Sequence, residues 1–214
     1  FVWENLINEL LTKLEKEDKD TVYKQLLKNL TIQKELHQFL LRKEVFKRLW
    51  DNITNSDAHV AMSSSEVLES ILISDDHQDI ISKYAGENYE QIMEVLKHLI
   101  NNDIITTKLQ GLKLLSEILN RCGSIKQFSE EYLQDKDNLR MVMTKMVEEE
   151  NRDVKDAAFE LLIIYLFTPK DMKSDAVNDT LHKNYEKLIE LIEDDLDSTD
   201  NETLIKQKKE AIDW

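Results

Sequence analysis

Cys122 follows Arg121, and a guanidinium beside a thiol is an arrangement that can lower a cysteine's pKa and make it nucleophilic. Such a nucleophile needs a base to take its proton, and no histidine stands near it in the sequence. A structural cysteine at a helix end is the simpler reading. The five histidines, His37, His59, His77, His98 and His182, form no His-x-x-x-His pair, and one cysteine cannot complete a zinc site with them. Gly86, Gly111 and Gly123 each stand alone, so no glycine-rich loop can cradle a phosphate. The acidic run from Glu193 to Asp200 invites a calcium loop. Starting at Asp195, that loop would need glycine sixth and glutamate twelfth, where the chain has Asp200 and Lys206. The run reads instead as a solvated loop between the last two helices. Paired carboxylates are so common in this acidic chain that none marks a site. The expectation is no enzyme, no metal and no cofactor.

Any function must then come from surface that secondary structure presents. Of 214 residues, 41% are hydrophobic and 33% charged, which is enough apolar material for a real core. Only 3 glycines and 1 proline occur, too few for the tight turns of hairpins or βα units. Leucine, lysine and acidic residues dominate, so helices joined by short polar turns are expected. The single cysteine excludes an internal disulfide and suits a reducing compartment, placing the protein in the cytoplasm. No uncharged apolar run approaches the ~20 residues that span a bilayer. The formal charge of −15 argues against a nucleic-acid surface. Its one local exception, Arg42-Lys43 with Lys47-Arg48, reads as a solvated helix face.

An internal repeat organises the chain. Val60–Leu72, Thr107–Leu119 and Val154–Leu166 align, with a step of 47 residues from Leu72 to Leu119 and again to Leu166. Val67, Leu114 and Leu161 share a column, and so do Leu68, Leu115 and Leu162. Ile71, Ile118 and Tyr165 form a third. The i, i+3, i+4, i+7 spacing marks amphipathic helices with a broad buried arc. A small-residue column, Ser64, Gly111 and Ala158, would let a neighbouring helix come close. Ser56-Asp57 and Asn151-Arg152-Asp153 are expected N-caps. A second helix class follows at Tyr89–Leu99, Leu139–Met146 and Tyr185–Ile192, with shorter pieces between at Asp75–Tyr84, Ile125–Leu133 and Asp171–Leu181. Val2–Leu14, Val22–Leu30 and Leu36–Trp50 read as an earlier unit of shorter period.

The predicted fold is an all-α, HEAT/armadillo-like right-handed helical-repeat solenoid, preferred over an irregular bundle because the register is fixed. One domain over 1–214 is expected, with units at roughly 1–52, 53–100, 101–148 and 149–214. The apolar start suggests the C-terminal part of a longer array, since a terminal unit should be polar. On the helix around Leu112, Leu109 and Lys113 are i, i+4 neighbours off the buried side, a pairing that suits an acidic-aromatic peptide.

Three separated segments, Thr107–Leu119, Asp137–Met143 and Leu181–Glu190, resemble the calcium-binding protein 39 (mouse-protein-25-like) scaffold family. The likeness runs from about Val45 onward, over about the last two-thirds of the family's array. It implies a non-catalytic scaffold that binds and helps activate sterile-20-type protein kinases or a related pseudokinase. In the family, a convex C-terminal pocket takes a Trp-Glu-Phe tail and the concave face grips the kinase fold. Lys113, Met143 and Lys183 match the family's residue types in that pocket, Arg140 replaces a lysine, and Leu109 replaces an arginine. On the concave face Arg121 matches, Ile105 replaces a tyrosine, and Phe128, Ser124 or Ile125 stands in for a displaced aromatic. Losing an aromatic or arginine anchor typically costs ~2 kcal/mol or more of binding, which leaves a tail of altered sequence or a different kinase open. An adaptor for a non-kinase protein is the alternative.

Overall fold

The computed structural model describes residues 2–16, 21–55, 58–121, 126–196 and 202–212. Among them every regular element is helical. The chain opens with α1 (Val2–Lys16) and α2 (Thr21–Asn29), a 3₁₀ turn at Leu30–Ile32, then α3 (Lys34–Leu40) and α4 (Lys43–Asn55). α5 (Ala58–Leu72), α6 (Gln78–Glu87) and α7 (Tyr89–Ile100) follow, then α8 (Ile105–Asn120), α9 (Lys126–Gln134) and α10 (Lys136–Glu148). The last group is α11 (Arg152–Phe167), a 3₁₀ turn at Lys170–Met172, α12 (Asp175–Leu196) and α13 (Glu202–Ile212). No helix among the described residues is long and apolar enough to cross a membrane.

The three aligned segments become α5, α8 and α11. Each packs on the helix before it, and α8 also packs on both α5 and α11, so the long helices stack in series. The paired apolar columns explain how. Val67 and Ile71 of α5 join a core with Ile7, Leu11, Leu27 and Leu40, whereas Leu68 and Leu72 join the core that runs on to α13. Adjacent positions on one helix therefore bury against opposite neighbours, which is what a middle layer of a stack requires. The small column is buried as well. A Cβ on Gly111 would sit 2.7 Å from Leu99 Cβ and 3.0 Å from the Ile100 nitrogen, so α7 and α8 touch there backbone to backbone.

Buried polar groups fix the register between units. Tyr89 Oη accepts from Asn138 Nδ2 at 2.9 Å, which also donates to the Tyr132 carbonyl at 3.3 Å. Tyr165 Oη donates to that same carbonyl at 3.2 Å, and Lys173 Nζ donates to the Tyr165 carbonyl at 2.6 Å. This ladder ties α7, α9, α10 and α11 together. Nearer the N-terminus, His37 Nε2 bonds the Ile71 carbonyl at 2.8 Å and His77 Nε2 bonds the Ile32 carbonyl at 3.1 Å. The two rings meet edge to face at 5.9 Å. At the far end Lys208, 1% exposed, pairs with Asp156 at 3.0 Å and holds α13 against α11.

Several local expectations are corrected. Leu36–Trp50 is two helices rather than one, because α3 closes at Leu41 and the Arg42 guanidinium stacks on the Phe39 ring. Asp171–Leu181 does not form a separate piece; after the 3₁₀ turn it runs straight into the 22-residue α12. That helix carries Glu193–Leu196 of the acidic run, and 197–200 lie outside the described residues. Asn151 caps α11, its side chain accepting from the Val154 amide at 3.2 Å; Ser56-Asp57 falls outside the described residues. In the basic cluster, Arg48 is held by Glu15 at 2.7 Å and Lys47 pairs with Asp51.

Candidate partner-binding site

Asp135 caps α10, accepting from the Asp137 amide at 2.8 Å. The helix turns Asn138, Leu139, Val142 and Met146 into the core. Lys136, Arg140 and Met143, at i, i+4 and i+7, are left on another face. α12 starts where Ser174 Oγ donates to the Gln134 carbonyl at 2.8 Å and accepts from the Val177 amide at 3.2 Å. Its core side holds Val177, Leu181 and Leu188, which leaves Ala176, Asp179, Thr180, Lys183 and Asn184 toward α10. Between the two helices lies a cleft of about 580 Å³ lined by these two sets and Thr144.

Three cations, Lys136, Arg140 and Lys183, line the cleft against one acid, Asp179. In a chain of formal charge −15 this is a local reversal of sign. Arg140 is lent to Asp137 at 3.2 Å, but that pair is exposed and worth little, so an incoming carboxylate can recapture the guanidinium. Met143 contributes a soft, adaptable wall. The arrangement suits a ligand that combines carboxylates with an apolar group.

Of the five residues expected at a tail pocket, Arg140, Met143 and Lys183 line this cleft. Leu109 and Lys113 do not. Leu109 is half-buried against the core, and Lys113 is exposed on α8 near Glu160 of α11. Burial raises the Glu160 carboxyl above its usual range, with the Lys113 charge opposing. Both residues thus sit on α8, outside the cleft. Lys136, which sequence reasoning missed, is one turn before Arg140, and the i, i+4, i+7 stripe could have found it.

The residues expected on a kinase-gripping face do not form one patch. Ile105 and Arg121 stand at opposite ends of α8, about 24 Å apart at 1.5 Å per residue. Arg121 bonds Asp75 at 2.9 Å and the Ser74 carbonyl at 3.4 Å, joining α8 to the turn after α5. Phe128 is corrected: it is 0% exposed and packs edge-on against Tyr89 at 5.0 Å, so it is a core residue with nothing to offer a partner. Cys122, Ser124 and Ile125 lie outside the described residues. Among the described residues, no three histidine, cysteine or acidic side chains gather where they could hold a metal.

Stacked amphipathic helices, register-fixing polar bonds and an open charged cleft define an all-helical repeat array. The chain belongs to the Mo25-like family, whose model matches residues 3–213; the likeness therefore includes the opening helices. It is 26% identical over 178 residues to the degreening-related gene dee76 protein of Auxenochlorella protothecoides, covering 83% of this chain and 54% of that one. It is 25% identical to the Mo25-like protein of Schizosaccharomyces pombe, covering 72% and 45%. To the calcium-binding protein 39-like proteins of mouse and human it is 24% identical, covering 83% and 51%. The chain spans about half the length of these relatives.

Proposed function

We propose that this chain is a non-catalytic scaffold that holds a sterile-20-type protein kinase or a related pseudokinase, taking its acidic-aromatic C-terminal tail in the α10/α12 cleft. The observation that carries the reading is the cleft itself: Arg140, Met143 and Lys183, assigned to a tail pocket by family resemblance, converge there with Lys136 on both of its walls. Carboxylates of the tail pair with the three cations, and an aromatic side chain lies along Met143. Ile105 and Arg121 contact the kinase fold from the two ends of α8. The units carrying these surfaces are proposed at roughly 1–52, 53–100, 101–148 and 149–214, in one domain.

The test is a titration of the protein into a fluorescein-labelled peptide ending in Trp-Glu-Phe. Binding is expected to weaken with salt and to fall at least tenfold, about 1.4 kcal/mol, in Lys183→Glu and in Arg140→Glu. Both residues are exposed, so neither variant should unfold. Equal binding by wild type and both variants, or none by wild type, overturns the assignment.

A further inference from the structure

Helices α4 and α10 keep one register. Each has 13 residues, and each packs on the long helix that follows it, α5 or α11. Val45, Phe46, Leu49 and Ile53 of α4 stand where Asn138, Leu139, Val142 and Met146 stand in α10, and all of them are buried. In that register Lys43, Lys47 and Trp50 take the places of Lys136, Arg140 and Met143, which line the α10/α12 cleft. Two cations followed by a large apolar side chain at i, i+4 and i+7 therefore recur two units earlier. The repeat does not impose this pattern. In α7, between them, Ile92, Met93, Leu96 and Ile100 fill the same core places, and the stripe reads Glu90, Glu94 and Lys97.

The stripe of α4 also borders a cavity. It has about 190 Å³ and is lined by Lys43, Phe46, Lys47 and Trp50 of α4 with Gln91 and Glu94 of α7. Phe46 is buried, its ring 5.8 Å from that of Tyr84. The half-buried Trp50 ring stands edge-on to His98 of α7 at 5.4 Å, which braces the indole between the two helices. Lys43 and Lys47 are exposed. Lys47 is lent to Asp51 at 3.1 Å, in a pair open to solvent and worth little. Their neighbours in the basic cluster are engaged elsewhere, Arg42 on the Phe39 ring and Arg48 with Glu15. Glu94 is the one acid in the lining.

We infer that the α4/α7 cavity is a second docking site, taking an acidic protein segment that inserts one aromatic side chain. The cavity is smaller than the ~300–1,000 Å³ of a small-molecule site, so it takes a side chain rather than a whole ligand. Phe46 and Trp50 offer ring faces and edges against which an aromatic ring packs. Lys43 and Lys47 select carboxylates beside that ring, because a basic segment would set its own charges against two ammonium groups. Glu94 opposes the same occupant, so its removal should help binding. This contact is additional to the one proposed in the α10/α12 cleft, and its chemistry follows from its own lining.

The probe is a short labelled peptide of glutamates around a single phenylalanine, with companions that carry serine for phenylalanine or lysine for glutamate. No kinase is present, and every protein carries Lys183→Glu to disable the cleft, so this inference and the tail reading fail separately. By fluorescence anisotropy the phenylalanine-glutamate peptide should bind at least tenfold more tightly than its companions. Lys43→Glu and Lys47→Glu should each weaken it threefold or more. The control Lys126→Glu, the same charge change at an exposed residue of α9, should leave it unchanged. Glu94→Gln should tighten binding twofold or more, a gain that misfolding does not produce. With benzoylphenylalanine in place of phenylalanine, photo-cross-links should fall within 43–50 and 91–98. Cross-links elsewhere overturn the inference, as does equal binding of the phenylalanine and serine peptides, which would mean plain charge attraction. Equal affinities for the three lysine variants overturn it too. A self-association lost in Lys47→Glu would make the occupant a second copy and also overturn it.

Discussion

Two joints of the array do the same job with different chemistry. The joint between the first units is closed by His37 and His77, each bonding a backbone carbonyl across the gap. The joint among the later units is closed by Tyr89, Asn138 and Tyr165 around the Tyr132 carbonyl. Both place polar groups where an apolar contact alone would let layers slide; His37, Tyr132 and Tyr165 are fully buried and His77 half-buried, and a donor left unpaired at the buried positions would cost roughly 1–3 kcal/mol. The tyrosines of the later joint stay neutral at ordinary pH, since burial pushes Tyr89 up to about 12 and Tyr132 and Tyr165 higher still. The earlier joint can titrate. Burial lowers the pKa of His37, its Nδ1 is buried without a partner, and His77 opposes a second positive charge beside it. Asp76, in the turn before α6, and the backbone of Thr31 and Ile71 pull the other way, and burial wins.

The contrast can be broken most severely at Tyr165. Tyr165→Ala removes a fully buried ring and a rung of the ladder, and should cost about 3–5 kcal/mol in urea unfolding with no new pH dependence. Gly111→Ala tests the close approach of α7 and α8. The added methyl gains helix propensity of ~1 kcal/mol, but it meets the Ile100 backbone, which cannot swing aside as a side chain would. A net loss of about 1–2 kcal/mol in the same assay is expected.

Acid should separate the two joints. The folded state favours neutral His37, so the unfolded chain binds more protons as pH falls through the ordinary histidine value of 6.5. Stability is full above that value and declines below it. Hydrogen exchange should show α1–α3 losing protection between pH 7.5 and 5.5 while α9–α11 keep theirs. His37→Gln, which retains a donor for the Ile71 carbonyl, should flatten the response. Equal loss of protection in both regions would erase the distinction. The smallest effect is expected from Tyr165→Phe, about 0.5–1.5 kcal/mol, because Asn138 still serves the Tyr132 carbonyl.

Much of this fold is legible in the sequence because each long helix repeats its apolar columns in fixed register, and stacking demands that two adjacent columns face opposite ways. The break between α3 and α4 is not, since Leu36, Leu40, Leu41, Val45, Phe46 and Leu49 continue the apolar period without glycine or proline. The continuity of α12 is the opposite case: no glycine or proline separates Leu181 from Tyr185, so a single helix is open to reading there. Contacts between units are invisible to local pattern, so the histidines read as unrelated and Phe128 as a surface aromatic. The cleft was half legible. Arg140, Met143 and Lys183 stood out by resemblance, whereas Leu109 and Lys113 share a stripe of α8 that the stacking carries away from it.

In the proposed function the helical array holds and activates a kinase without chemistry of its own. The most direct measurement mixes the protein with a sterile-20-type kinase, or its pseudokinase partner, and follows both co-elution and phosphate transfer to a model substrate. A co-eluting complex and raised kinase activity are expected, both diminished by Lys183→Glu. A kinase that elutes alone with unchanged activity would contradict it.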